Sequence, residues 1–177
     1  MNTIISKIGH IDKLTGLLSR LVYDRPNFDF IVELSDGTPL QRKYGEWDLE
    51  MKQHFIKSCF NENTDIGKFI FHRPYDSTNS VKVIDGQHRI KALHEFMDNN
   101  FPITDLDGNE IYWIKIPIEI QNSFLKKPIT ILEYYDTILD DYSLLLIFLS
   151  ANDTGKRIDE ELLQAHKLKL AQLRKLM

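Results

Sequence analysis

Residues Val81 to Met97 limit the fold of this chain more than any other stretch. Val81-Lys82-Val83-Ile84 reads as a short apolar strand, Asp85-Gly86-Gln87-His88-Arg89 as a tight polar turn, and the residues from Ile90 to Met97 as an amphipathic helix. On a helix beginning near His88, Ile90, Leu93 and Met97 form one stripe with Phe96 beside it, and that stripe must face a sheet. Arg89 falls on the Leu93/Phe96 side and His88 roughly on the opposite face. Such a turn aims backbone N–H groups and a helix N-terminus at one point, a construction suited to phosphate. Gly86 permits a positive φ and close backbone approach. Arg89 can bury its stem and place its guanidinium over the helix mouth. Asp85 either caps the turn or binds a metal–phosphate, and Gln87 offers both a donor and an acceptor. The structural alternative is a capped strand-to-helix turn, with Arg89 in a salt bridge and His88 at the surface.

The chain has 177 residues, enough for one domain with a full core. A net charge of −4 gives no overall basic field for nucleic acid, although it leaves room for a local basic groove. The single cysteine, Cys59, excludes an internal disulfide framework and a Cys-rich metal site. No apolar run approaches the roughly 18 residues of a membrane span, and the N-terminus has no uninterrupted signal-peptide core. A cytoplasmic protein with no membrane partner is expected.

The spacing of Ile4, Ile8, Ile11, Leu14, Leu18 and Leu21 predicts an opening helix. Phe28 to Leu34 predicts a strand ended by the turn Ser35-Asp36-Gly37-Thr38-Pro39. A helix is expected from Trp47 to Phe60, with Trp47 as a core anchor, and a strand from Lys68 to His72 followed by a loop from Arg73 to Ser80. Asp107-Gly108-Asn109 suggests a hairpin turn. Ile111 to Ile120 reads as a strong strand, with Pro117 marking an edge or a bulge. Helices are expected over Ile131–Leu139, Tyr142–Leu149 and Asp159–Leu176, with a loop from Ala151 to Lys156. The sum is one α/β (α+β) domain over residues 1–177, with a core at about 28–120 and a helical C-terminal portion at about 130–177.

The D-G-Q-H-R turn between a strand and a helix, followed by Ala92-Leu93, resembles the ParB/sulfiredoxin superfamily. Within it, the chain is most similar to the N-terminal domain of GmrSD-type modification-dependent restriction enzymes, whose turn usually reads D-G-Q-Q-R. Pro39-Leu40-Gln41-Arg42 with Trp47 resembles that family's early P-x-Q-R…W segment. Phe148 to Ile158, with Asn152 and Gly155, resembles its F-x-x-x-N-x-x-G-x-x-L/I segment. His88 in place of the second Gln is a version also found in DndB-like regulators of DNA sulfur modification. The resemblance implies a small mixed sheet with flanking helices, and a turn that binds nucleotide phosphates.

By that resemblance Gly86, Gln87, His88 and Arg89 hold phosphate, Asp85 positions Mg²⁺ or the turn, and Gln41 and Arg42 close the other side of the pocket. Asn152, Thr154, Gly155 and Lys156 are a further anion-contacting loop, or simply the end of one helix before the next. The implied ligand is a nucleoside triphosphate with Mg²⁺. The implied partners are DNA or a larger restriction or modification protein, and the apolar terminal helices suit a dimer. NTP hydrolysis, a DndB-like DNA-binding regulator, a phosphotransferase and a partner-binding module with a vestigial pocket all stay open. Cleavage by these residues alone is not expected, because no HNH nuclease motif is found among them. Glu46 and Asp48 are better explained by helix-dipole complementarity than by metal binding or water activation. The six histidines lack metal-ligand spacing, and no Walker motif is present. Sulfiredoxin chemistry is excluded by Gln87-His88 standing where its cysteine would be.

Overall fold

Along β4 (Val81–Asp85), Val81 and Val83 face one way and Ile84 the other, and both sets are buried. A strand covered on both faces needs an apolar layer on each side, which sets the architecture. The computed structural model describes residues 6–23, 28–41, 47–74, 80–136, 140–152 and 160–175. Its elements in order are β1 (Ser6–Lys13), α1 (Leu14–Tyr23), β2 (Phe28–Asp29), α2 (Leu49–Phe60), β3 (Lys68–Pro74), β4, α3 (Gln87–Met97), β5 (Ile103–Thr104), β6 (Glu110–Ile111), a 3₁₀ turn (Trp113–Lys115), α4 (Ile118–Leu125), β7 (Pro128–Asp136), α5 (Asp141–Asn152) and α6 (Glu160–Arg174). The fold is α+β with a mixed sheet and flanking helices.

Five strands form the main sheet in the order β1-β7-β3-β4-β2. β1 runs antiparallel to β7, β7 parallel to β3, β3 antiparallel to β4, and β4 parallel to β2. Phe69, Phe71, Val83 and Ile131 point to the layer made by α1, α2, α3 and α4. Ile70 and Ile84 point to a second cluster with Val32, Leu34, Leu40 and the apolar side of α5. α3 is held in the first layer by rings around Phe96, which meets Phe60, Phe101, Trp113 and Phe124 at centroid distances of 5.7–6.4 Å. These are edge-on or tilted contacts of the kind aromatic quadrupoles favour.

Polar ties fasten both layers. Glu133, buried on β7, accepts from Arg20 Nη1 of α1 (3.4 Å), Arg73 Nε of β3 (3.2 Å) and the Tyr135 hydroxyl (2.9 Å). Burial and the Glu133 carboxylate push the Tyr135 phenol above its ordinary range. On the other face the Lys169 ammonium of α6 pairs with Asp36 in the 34–38 turn and holds that carboxyl well below the usual range.

The structure matches the expected α2, β3, β4, α3, α5 and α6 and the Asp107-Gly108-Asn109 hairpin turn, and corrects several other expectations. The opening helix is a strand, β1, before it is a helix: the four- and three-residue spacing of Ile4, Ile8 and Ile11 coincides with helical periodicity, yet Ile11 is 79% exposed on an edge strand. Residues 131–136 are strand rather than helix, because β7 is central and its apolar residues face both layers, which erases the two-residue period. The strand expected over Ile111–Ile120 ends at Ile111. Ile114 and Ile118 are 71% and 60% exposed, so the alternation there follows no buried face, and Pro117 precedes α4 as its cap. The strand expected over Phe28–Leu34 keeps only Phe28–Asp29, after which Val32 and Leu34 pack into the second cluster from a loop. Arg73 and Pro74, expected in a loop, extend β3.

Replacing Phe96 with Ala should lower unfolding free energy by about 3–5 kcal/mol, read as a lower urea midpoint at unchanged slope. Burial pushes the Cys59 thiol up to about 12. At pH 8 a disulfide reagent should therefore leave Cys59 unmodified in the folded protein and label it promptly in denaturant.

Candidate functional site

The turn after β4 depends on Gly86, which sits at φ +100°. A Cβ there would meet Phe69 Cδ1 at 2.7 Å, so both backbone and packing exclude a side chain. Gly86 is also the cap of α3 and contributes no side-chain acceptor, and no acidic residue occupies the first turn of that helix. The α3 N-terminus therefore keeps its partial positive charge, with the first-turn amides outside the helical ladder. Ile90 N–H is the first to close it, on Gly86 O at 2.9 Å.

Arg89 lies beside that N-terminus in a cradle made largely of backbone. Its Nη1 donates to Ile66 O (2.8 Å), and its Nη2 donates to Lys68 O (2.6 Å) and to Asp85 Oδ2 (2.6 Å). The guanidinium also stands over the Phe69 ring, 4.8 Å from its centroid. Asp85 and Arg89 are thus an i,i+4 ion pair that joins the end of β4 to the first turn of α3. The salt bridge weighed from sequence is present, and it fixes the cation next to the helix mouth.

Gln41 reaches the same turn from the opposite layer. Its side-chain amide donates to Val83 O at 2.9 Å and to Ile84 O. The β2–β4 ladder stops at Lys82, so Gln41 serves carbonyls beyond the last rung. Its Oε1 is buried and has no hydrogen-bond partner among the described residues, while Gln87 is buried at the start of α3. His88, expected either at the surface or supporting the site from behind, is half-buried with its ring nearly parallel to Trp47, at 5.8 Å and 14°. Trp47 packs on the first core cluster and meets Phe55 edge-on at 5.6 Å. Asp48 is a helix cap, its carboxylate accepting from Met51 N–H at 2.7 Å, in line with the dipole explanation.

Of the expected site residues, Gln41, Asp85, Gly86, Gln87, His88 and Arg89 gather around the β4–α3 turn. Ala151 and Asn152, expected in a loop, are the last two residues of α5, whose apolar side packs with Ile84. Arg42, Glu46, Thr154, Gly155 and Lys156 lie outside the described residues. Sequence reasoning missed Gly67 and the carbonyls of Ile66 and Lys68. The only available signal was a glycine one residue ahead of a strand. No group of three or more metal-ligating side chains occurs among the described residues.

Gln41→Leu removes the donor shared by Val83 O and Ile84 O. It should cost about 1–3 kcal/mol in denaturant unfolding, more than a polar-to-apolar change at an exposed site would.

The turn, the Gln41 contact and the helix beyond all fall within the residues that a family model matches. No curated protein and no solved structure matches the chain. The matching model is that of the GmrSD restriction endonuclease, N-terminal domain, and it covers residues 36–173. With that share of its length matched, the chain belongs to the GmrSD restriction endonuclease N-terminal domain family.

Proposed function

We propose that this restriction-related domain binds a nucleoside triphosphate, with a phosphate at the N-terminus of α3. The observation that carries the reading is the pairing of an α3 N-terminus without a side-chain cap with a guanidinium pinned beside it. Backbone N–H groups of the Gly86–His88 turn would take the phosphate oxygens, and the Arg89 charge would sit alongside. Asp85 keeps that cation in place and partly neutralises it, so Arg89 works as an oriented donor more than as a bare charge. Gln41 holds the end of β4, and Arg42 follows it in the chain on the side expected to close the pocket. Asn152, Thr154, Gly155 and Lys156 supply a second anion-contacting segment in this reading.

Mg²⁺ would arrive as the counter-ion of the nucleotide. A single carboxylate with one oxygen already bonded to Arg89 suits an ion held mainly by phosphate oxygens. NTP hydrolysis here would use positioning and charge stabilisation of the transferring phosphoryl group. Such a domain would report nucleotide state to a restriction or modification partner acting on DNA.

A thermal-shift titration with ATP, GTP, CTP and ADP, each with Mg²⁺, tests the reading. One nucleotide at 100 times its Kd should stabilise the protein by about 2.7 kcal/mol. Arg89→Ala should lose that shift, and should also melt lower because it frees Asp85 and two carbonyls. Arg89→Lys keeps a charge and a fold while losing the fork, and should bind at least about tenfold more weakly. No shift with any nucleotide would overturn the proposal.

A further inference from the structure

The Arg89 cradle depends on a residue with no side chain. Gly67 lies between the two carbonyls that hold the guanidinium and adopts φ +84°. A Cβ built at position 67 would fall on Arg89 Nη1, closer than any real Cβ contact. The loop that carries Gly67 is fastened elsewhere as well. The buried Lys127 ammonium donates to Asn61 O at 2.6 Å, and Gly67 N–H donates to Asp65 Oδ1 at 2.9 Å. The backbone therefore cannot easily retreat from an added methyl group, and the far end of Arg89 is the part that would move.

We propose that Gly67 is the positioning residue of the phosphate site. By leaving room for Nη1 it lets the Ile66 and Lys68 carbonyls hold Arg89 in one orientation, and that orientation is the one a phosphate meets. An arginine has five N–H donors. Among the described residues three bonds go to Ile66, Lys68 and Asp85, which leaves the Nε hydrogen and the second Nη1 hydrogen for ligand oxygens. A guanidinium pushed out of the cradle keeps its charge and loses the alignment of those two donors. The functional half of this inference rests on the phosphate reading of the α3 N-terminus; the steric half does not.

The molecule supplies its own control for backbone strain. Gly108 has the same φ of +84° with nothing within 4 Å of an added Cβ. Gly108→Ala carries the conformational cost alone, whereas Gly67→Ala carries that cost plus displacement of Arg89. Melting temperatures are measured for both variants in the wild-type and Arg89→Ala backgrounds, and nucleotide affinity by titration in the wild-type background. Gly67→Ala should melt lower than Gly108→Ala, and the excess should vanish once Arg89 is removed. It should weaken nucleotide binding about tenfold or more while Gly108→Ala leaves it unchanged.

If Gly67→Ala fails to fold alone, recovery of the fold in the Arg89→Ala background gives the same answer. Equal melting of the two glycine variants, or an excess that persists without Arg89, overturns the proposal. Unchanged nucleotide affinity in a Gly67→Ala protein whose stability shows the displacement overturns it too. A wild-type protein that binds no nucleotide removes the phosphate reading and the functional half with it. The four melting temperatures then still decide whether Gly67 sets Arg89.

Discussion

The guanidinium of Arg89 ties together three pieces of chain that meet nowhere else in the same way: the end of β4, the first turn of α3 and the loop that enters β3. A partly buried cation is tolerated when its hydrogen bonds are made and a counter-charge is close, and both conditions hold here. The carbonyls contribute direction and Asp85 contributes charge balance. Phe69 supplies a flat apolar floor beneath the guanidinium. The same ring forbids a side chain at Gly86, so one phenylalanine shapes both the turn and the seat of the arginine.

What holds the helix that bears Arg89 is the opposite kind of interaction. Phe96, two turns further along, is packed by rings from α2, α4 and the segment between α3 and α4, and non-directional burial anchors that end. With its C-terminal half embedded, α3 can present an N-terminus whose amides are not spent on a cap. On the far side of the sheet Gln41 completes the support, because its amide stands where a longer β2 would have supplied ladder donors. Aromatic packing, one amide and one ion pair are sufficient to place the turn.

The parts of this fold that could be read from sequence are those where one periodicity dominates. β4 and α3 are short, bounded by Asp85-Gly86, and switch period at that boundary. α2 carries its cap in Asp48, and α6 has acidic residues at its start and basic ones at its end. β1 and β7 were illegible for different reasons. β1 is an edge strand whose isoleucines happen to fall at helical intervals, and β7 carries apolar residues on both faces, buried at Ile129 and Ile131 and half-buried at Leu132 and Tyr134, so its sequence hides the two-residue period. The run from Tyr112 to Ile120 alternates without a buried face to explain it, and I-x-I spacing alone was not evidence of a strand. At the site, side chains announced themselves and backbone did not. Asp85, Gly86 and Arg89 could be named from the motif and Gln41 from the family segment. The acceptors at Ile66 and Lys68 are carbonyls, which every residue has, so no choice of amino acid marks them. Gly67 is the trace they leave in the sequence.

The matched residues begin at 36, yet the sheet extends beyond them at both edges, through β1 and through the short β2. β1, residues 6–13, lies outside β7 and covers its free side along the full length from Pro128 to Tyr135. The outermost ladder thus joins segments more than 100 residues apart, whereas β3, β4 and α3 are consecutive and need little loop closure to meet. In folding terms, the β4–α3 turn belongs to a unit of local contacts, and the β1–β7 seam is a contact of long sequence separation, the kind that slows folding. A fragment trimmed to the matched residues would lose Leu14, Leu17 and Phe28 from one core and Val32 and Leu34 from the other, and would leave the main-chain groups of β7 open on that side. That is a template on which another copy of the chain could add a strand. β1, which precedes the family match, thus acts as an edge guard for β7, two strands away from the β4 end that leads into α3.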